Sequence, residues 1–372
     1  MNHFWKNIYG HARLKEVLLK IAFSEKEPNV FLFVGPEGVG KFAIALRYAQ
    51  ISSIGRVSEK EFFENPIFKR IANLAEPRIK LALPSPPSTE AGENNSTKKK
   101  LSTSEIACLE EINLKKNNPY ASLDSSSSKT IRIDTIREII NFVSYKYDEV
   151  NKRFIIIPNA DMMNMEAQNS LLKTLEEPPE DVFFILLTSK PNQLLETIKS
   201  RCRIFYFGTL GKEDIARILE EYFGINKNRS MILASFSDGS ISEAEKLLKK
   251  DIDDFKQKCV NFLRNVFVSK YYSAYKILNF NFGSQQEKED FKFFLKILQF
   301  WFNSVQKNLY ELDDEKFKSE KEIFIKFNQK YKNFNYTKAV DLLDKYLSVL
   351  DRNANPNVVL NNLVLELSAL KS

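Results

Sequence analysis

The chain has 372 residues, with 55 Lys and Arg against 48 Asp and Glu and a formal net charge of +7. That length exceeds one ordinary domain, so two or three compact units are expected, and the modest cationic excess permits a polyanionic partner without requiring one. Two histidines, His3 and His11, exclude His-based triads, and three dispersed cysteines, Cys108, Cys202 and Cys259, exclude a disulfide framework or a four-thiolate zinc site.

In chain order, the first strong signal is VFLFVG at 30–35, a continuous apolar run followed by glycines and a helical pattern. Such a run predicts a buried strand turning into a helix. Residues 83–104, LPSPPSTEAGENNSTKKK and its flank, lack the apolar side chains to offset their ordering entropy and read as a disordered insertion. LDSSSSK at 123–129 reads as a shorter linker. TIRIDTIREIINFV then predicts a brief strand leading into a helix capped by Asp134 or Thr135.

RFIIIP at 153–158 is a second buried strand, and the helix after it carries Ala167, Leu171, Leu172 and Leu175 until Pro178 and Pro179 stop it. VFFILLTS at 182–189 is a third. Apolar strands alternating with helices predict a parallel sheet covered on both faces. From about residue 208 the strand signals cease. Amphipathic stripes such as Phe294, Ile297, Leu298, Trp301 and Val305, or Val340, Leu343, Leu347 and Leu350, predict an all-α remainder whose aromatic rings pack a core.

The chemistry centres on GPEGVGKF at 35–42. Gly35, Gly38, Gly40 and Lys41 fit a phosphate-binding loop, in which backbone N–H groups cradle phosphates and the lysine reaches their oxygens. The next position wants a hydroxyl for Mg²⁺, and here it is Phe42. At the end of the second buried strand, where a metal-holding Asp and a basic Glu are needed, stand Pro158 and Asn159; Asp161 lies beyond the strand. Two metal positions and the base are lost together, so nucleotide binding is expected to be weak or absent. A glycine turn of this kind also persists for purely structural reasons.

AQNSLLKTLEEPPEDVFFILLTSKPNQLLETIKSRCRIFYF at 167–207 resembles the AAA+ subunits of the bacterial DNA polymerase III clamp loader, with LLKTLEEPP and SRC at that family's spacing. The degenerate loop is similar to that of the delta-prime type rather than the ATP-hydrolysing gamma/tau subunit. The resemblance implies an α/β AAA+ module at 1–207, a small helical lid at 208–250 and an all-α collar at 251–372. RNANPNVVLNNLVLEL looks like the last collar helices. Arg201 matches the family's arginine finger, which acts on a neighbouring subunit's ATP. Ser242, in DGSISEAEKLL, stands where active members carry a sensing Arg, and Thr188 matches a first sensor position. Clamp-loader subunits usually carry a four-cysteine zinc module near residues 51–125; with only Cys108 there, no zinc is expected.

The implied assembly is a heteropentamer with gamma/tau and delta subunits that places the sliding clamp on primer-template DNA. Helix starts near Thr135 and Asn164 are candidates to offer amides to DNA phosphates, or are ordinary caps. No apolar run approaches the roughly 18 residues of a membrane span, and MNHFWKN lacks a signal-peptide pattern, so a reduced, cytoplasmic protein is expected. Two other readings stay open: an active gamma/tau-like ATPase, and a DNA-binding AAA+ protein outside the clamp loader, with Arg201 an ordinary surface arginine.

Overall fold

The computed structural model describes residues 2–86, 103–123, 129–148, 150–278, 280–312 and 315–370. Most of the stretch read as a disordered insertion, and LDSSSSK apart from its ends, lie outside the described residues. The chain divides into two compact units, Met1–Leu248 and Lys249–Ser372.

In the first unit the elements run α1 (Ala12–Ala22), β1 (Val30–Val34), α2 (Lys41–Ile54), α3 (Glu59–Glu64), α4 (Pro66–Ala72), β2 (Ile79–Leu81), α5 (Thr103–Asn117), α6 (Ile133–Ser144), β3 (Arg153–Ile157), α7 (Met165–Glu176), β4 (Val182–Thr188), α8 (Glu196–Lys199) and β5 (Arg203–Tyr206). Helices α9 (Lys212–Phe223), α10 (Lys227–Phe236) and α11 (Ile241–Leu247) complete it. The strands form one parallel sheet in the order β2-β3-β4-β1-β5. Every residue of β1, β3 and β4 is buried, because helices cover both faces. Leu32, Val34, Ile155, Phe184 and Leu186 pack with Ile136, Ile139, Leu171 and Leu175 of α6 and α7 into one core. Arg153 stands in that core at 1% exposure. It is affordable there because its guanidinium pairs with Asp181 at 2.6 Å and donates to the carbonyls of Phe142, Val143 and Tyr145, which the end of α6 would otherwise leave unpaired.

The edges of the sheet correct the sequence reading. The strand beside β3 is Ile79–Leu81, whereas Thr130 and Ile131 make only isolated bridges, to Ser85 and Met163. Residue Arg132, with no side-chain cap bond, occupies the N-cap of α6 in place of Asp134 or Thr135. The insertion read at 83–104 is also too wide at both ends, since Leu83 is buried, Ser85 pairs with Thr130 and α5 begins at Thr103; at the end of the 123–129 linker, Lys129 meets Glu111 at 2.6 Å.

The second unit consists of α12 (Ile252–Phe267), α13 (Tyr271–Leu278), α14 (Gln285–Leu309), a 3-10 segment at Glu315–Glu320, α15 (Lys321–Lys330), α16 (Tyr336–Asp351) and α17 (Pro356–Ala369). The long helix α14 starts in a capping box between Ser284 and Glu287. It buries Phe294, Ile297, Leu298, Trp301 and Val305, with Trp301 edge-on to Phe327 at 5.0 Å and Phe294 edge-on to Phe262 at 5.3 Å. These rings are core packing, as the helical spacing implied, whereas Tyr272 and Tyr310 of the same unit are exposed. Pro356 takes the first turn of α17 behind the Asn355 cap, where its missing N–H costs nothing. Among the described residues no helix is long and apolar enough to cross a membrane.

Candidate functional site

The loop between β1 and α2 has the backbone of a phosphate cradle. Gly38 and Gly40 take φ of +71° and +84°, and a Cβ on Gly35 would come within 2.5 Å of the Phe207 carbonyl oxygen. These three positions accept only glycine without strain. The Gly35 N–H donates to Thr188 O at 3.1 Å, and a His11 ring nitrogen lies 2.8 Å from Val39 O. Burial moves the His11 ring toward its neutral form.

Lys41 does not reach outward. Its ammonium donates to the carbonyls of Gly35 and Pro36, both at 2.6 Å, and burial pushes its pKa down to about 8 despite Glu37 and Asp161 nearby. Phe42 is buried at 6% exposure. At the end of β3, Asn159 adopts a left-handed conformation with φ 52°, and Asp161 accepts a 2.5 Å hydrogen bond from the Thr188 hydroxyl. Thr188 in turn accepts from the Lys190 N–H at 3.0 Å. Asp161 is therefore occupied in tying β4 to the turn after β3. It does not cap α7, which is capped by the Asn164 side chain accepting from Ala167 N at 2.8 Å.

Helix α11 closes directly on the loop. Ile241 N donates to Gly38 O at 2.8 Å, Ser240 Oγ donates to Glu37 O at 2.9 Å, and a Cβ on Gly38 would meet Ser242 N at 2.4 Å. Ser242 points to this junction and its Oγ receives the Ser122 hydroxyl proton at 2.8 Å. The cavity left beside the loop is about 80 Å³. That volume is below the roughly 300–1,000 Å³ usual for small-molecule sites.

Arg201 is at the other side of the sheet. Its guanidinium donates to Thr197 O at 2.7 Å and pairs with Glu176, and its side chain is 29% exposed. Gln168, at 4% exposure, braces the segment leading to it: its amide donates to Met163 O and Gln193 O and its carbonyl accepts from Leu195 N at 2.9 Å. Sequence reasoning missed Gln168 and Glu176. The available signal for the first was a polar residue on the apolar face of α7, beside Ala167 and Leu171.

A parallel sheet in this strand order, a glycine loop leading from its interior strand β1 into a helix, and a helical appendage closing on that loop define an AAA+ module. Residues 10–211 match the family model described as DNA polymerase III, delta subunit, and the chain belongs to this family of clamp-loader AAA+ subunits. It is 26% identical over 253 residues to DNA polymerase III subunit tau of Bacillus subtilis (strain 168), covering 67% of this chain and 38% of that one. To subunit delta' of Buchnera aphidicola subsp. Baizongia pistaciae it is 30% identical over 147 residues, 40% of this chain and 43% of the relative. To subunit delta' of Bacillus subtilis (strain 168) it is 34% identical over 129 residues, 34% and 37% respectively. The chain thus spans less than half the length of these curated relatives. A solved gamma subunit-related protein from Thermotoga maritima aligns over 96% of this chain and 99% of that one with a TM-score of 0.44 and 17% identity.

Proposed function

We propose that this chain is a non-hydrolysing, delta-prime-type subunit of the DNA polymerase III clamp loader that supplies Arg201 in trans to the ATP site of a neighbouring gamma/tau subunit. The observation carrying this reading is the separation of Arg201 from the chain's own loop. In the parallel register Phe31 lies beside Arg203 and Val34 beside Tyr206, so Arg201 precedes one end of the sheet and Gly35 follows the other. Six residues of strand separate them, roughly 20 Å. A finger so placed has its use on a neighbour's phosphate, where such a residue adds roughly 10³ to 10⁵ in rate. On the cis side, Phe42, Pro158, Asn159 and Ser242 lack the ligands for Mg²⁺, base and sensor, and Lys41 is committed to its own loop. On this reading the chain holds no zinc and no tightly bound nucleotide. It sits in a heteropentamer with gamma/tau and delta, in the cytoplasm, and helps place the sliding clamp on primer-template DNA.

Reconstitution with gamma/tau, delta, clamp and primed DNA tests it. Arg201→Ala is expected to leave assembly intact and to lower the ATPase rate at the site it serves by about a thousandfold or more. An unchanged rate overturns the finger role. Magnesium-dependent turnover by the chain alone, lost on Lys41→Ala, would establish the active ATPase instead.

A further inference from the structure

The small volume of the cavity beside the phosphate loop has a cause within the chain. The segment that follows α5 is packed into the cleft. Lys115, on the last turn of α5, is only 5% exposed; its ammonium donates to Ala121 O at 2.5 Å and Pro119 O at 3.3 Å. The same ammonium stands 4.6 Å from the centroid of the Phe42 ring. Phe42 is thus more than a missing hydroxyl: it is the aromatic floor beneath a buried cation. Tyr120 is 4% exposed and lies against Gly40, where an added Cβ would be 3.1 Å from its ring. Its hydroxyl accepts from Tyr9 N at 3.0 Å, and its ring meets Tyr222 edge-on at 5.1 Å. Ser122 closes the far side, with its N–H on the Glu245 carboxylate at 2.9 Å and its hydroxyl on Ser242 at 2.8 Å.

We propose that residues 115–122 are a built-in occupant of the nucleotide cleft, replacing ATP as the material that joins the phosphate loop to helices α9 and α11, so that nucleotide and this segment exclude each other. Four separate parts of the first unit converge on it: the N-terminal segment through Tyr9, the loop through Gly40 and Phe42, α9 through Tyr222, and α11 through Ser242 and Glu245. These are the sheet-side and helix-side walls that a bound nucleotide would have to bridge. Burial pushes the Lys115 pKa down to about 7, so holding this side chain in the cleft at neutral pH costs stability, and its two carbonyl acceptors and the Phe42 ring offset part of that cost. The inference is independent of Arg201 and stands or falls separately from it.

The test is calorimetric titration of the full chain with MgADP, comparing wild type, Lys115→Ala with Tyr120→Gly, and the same pair with Lys41→Ala. Wild type is expected to show no binding at millimolar MgADP. The double variant is expected to gain at least about tenfold in affinity and to lose that gain on Lys41→Ala. A cooperatively folded double variant that still binds no MgADP overturns the proposal. Hydrogen exchange of wild type covers the case in which the double variant does not fold. Protection at 118–122 that MgADP leaves unchanged, without binding, supports the proposal. MgADP binding that leaves 118–122 equally protected overturns it, because the two would then coexist.

Discussion

Arg201 ends in an ion pair with Glu176, the last residue of α7, while another of its nitrogens is held by the Thr197 carbonyl. Both partners are partly exposed, and pairs of this kind contribute no more than about 1 kcal/mol. The pair occupies charge that a finger would need to present to a neighbour's phosphate. Glu176→Gln should therefore leave stability within about 0.5 kcal/mol and lower, by up to about fivefold, the concentration giving half-maximal ATPase in a gamma/tau titration. A higher half-maximal concentration would show that Glu176 holds the guanidinium in its reaching orientation.

Gly38 is the point at which α11 rests on the loop. Alanine there meets both an unfavourable φ of +71° and backbone at 2.4 Å. Gly38→Ala is expected to cost about 2 to 4 kcal/mol in urea denaturation. Amide exchange at Ile241, whose N–H is bonded to Gly38 O, should accelerate with it. Unchanged exchange there would mean that the junction does not depend on the loop's conformation.

Buried lysines give the chain a pH dependence of definite sign. Lys115 and Lys41 fall from 10.5 to about 7 and about 8 when folded, both chiefly by burial. Above about pH 7 the unfolded chain therefore binds more protons than the folded one, and stability rises with pH toward about 10. Beyond that, phenols such as Tyr9 and Tyr222, raised to about 12 when folded, reverse the slope. Urea midpoints at successive pH values should show the rise. Lys115→Met should flatten it by up to about 1.4 kcal/mol per pH unit where that group titrates. An unaltered slope would show that Lys115 is not the titrating group.

The strands that the sequence announces are those buried on both faces, because only there does the whole run become apolar. β1, β3 and β4 are of that kind. β5 leaves Arg203 and Tyr206 exposed at an edge, and β2 is three residues with Lys80 at its centre, so neither has a period or an apolar run to find. At the site, the glycines, Lys41 and Phe42 are adjacent in sequence and legible as a motif. The segment that fills the cleft is not legible. Tyr120 and Ser122 lie about 80 residues beyond the loop, and Lys115 looks like any polar residue near the end of a helix. Only the fold brings its ammonium over the Phe42 ring.

The register that places Arg201 and Gly35 at opposite ends of the sheet gives the chain a direction. On the proposed reading one end offers a group to a neighbour, and the other, filled from within, has nothing to receive one with. Head-to-tail association by a repeated finger-to-loop contact extends only while every member can both give and accept. On the proposed reading a chain of this design adds to such a row once and at one position. On that reading it would act as a terminator, and the number of ATP sites in the assembly would be set by how many receiving neighbours precede it.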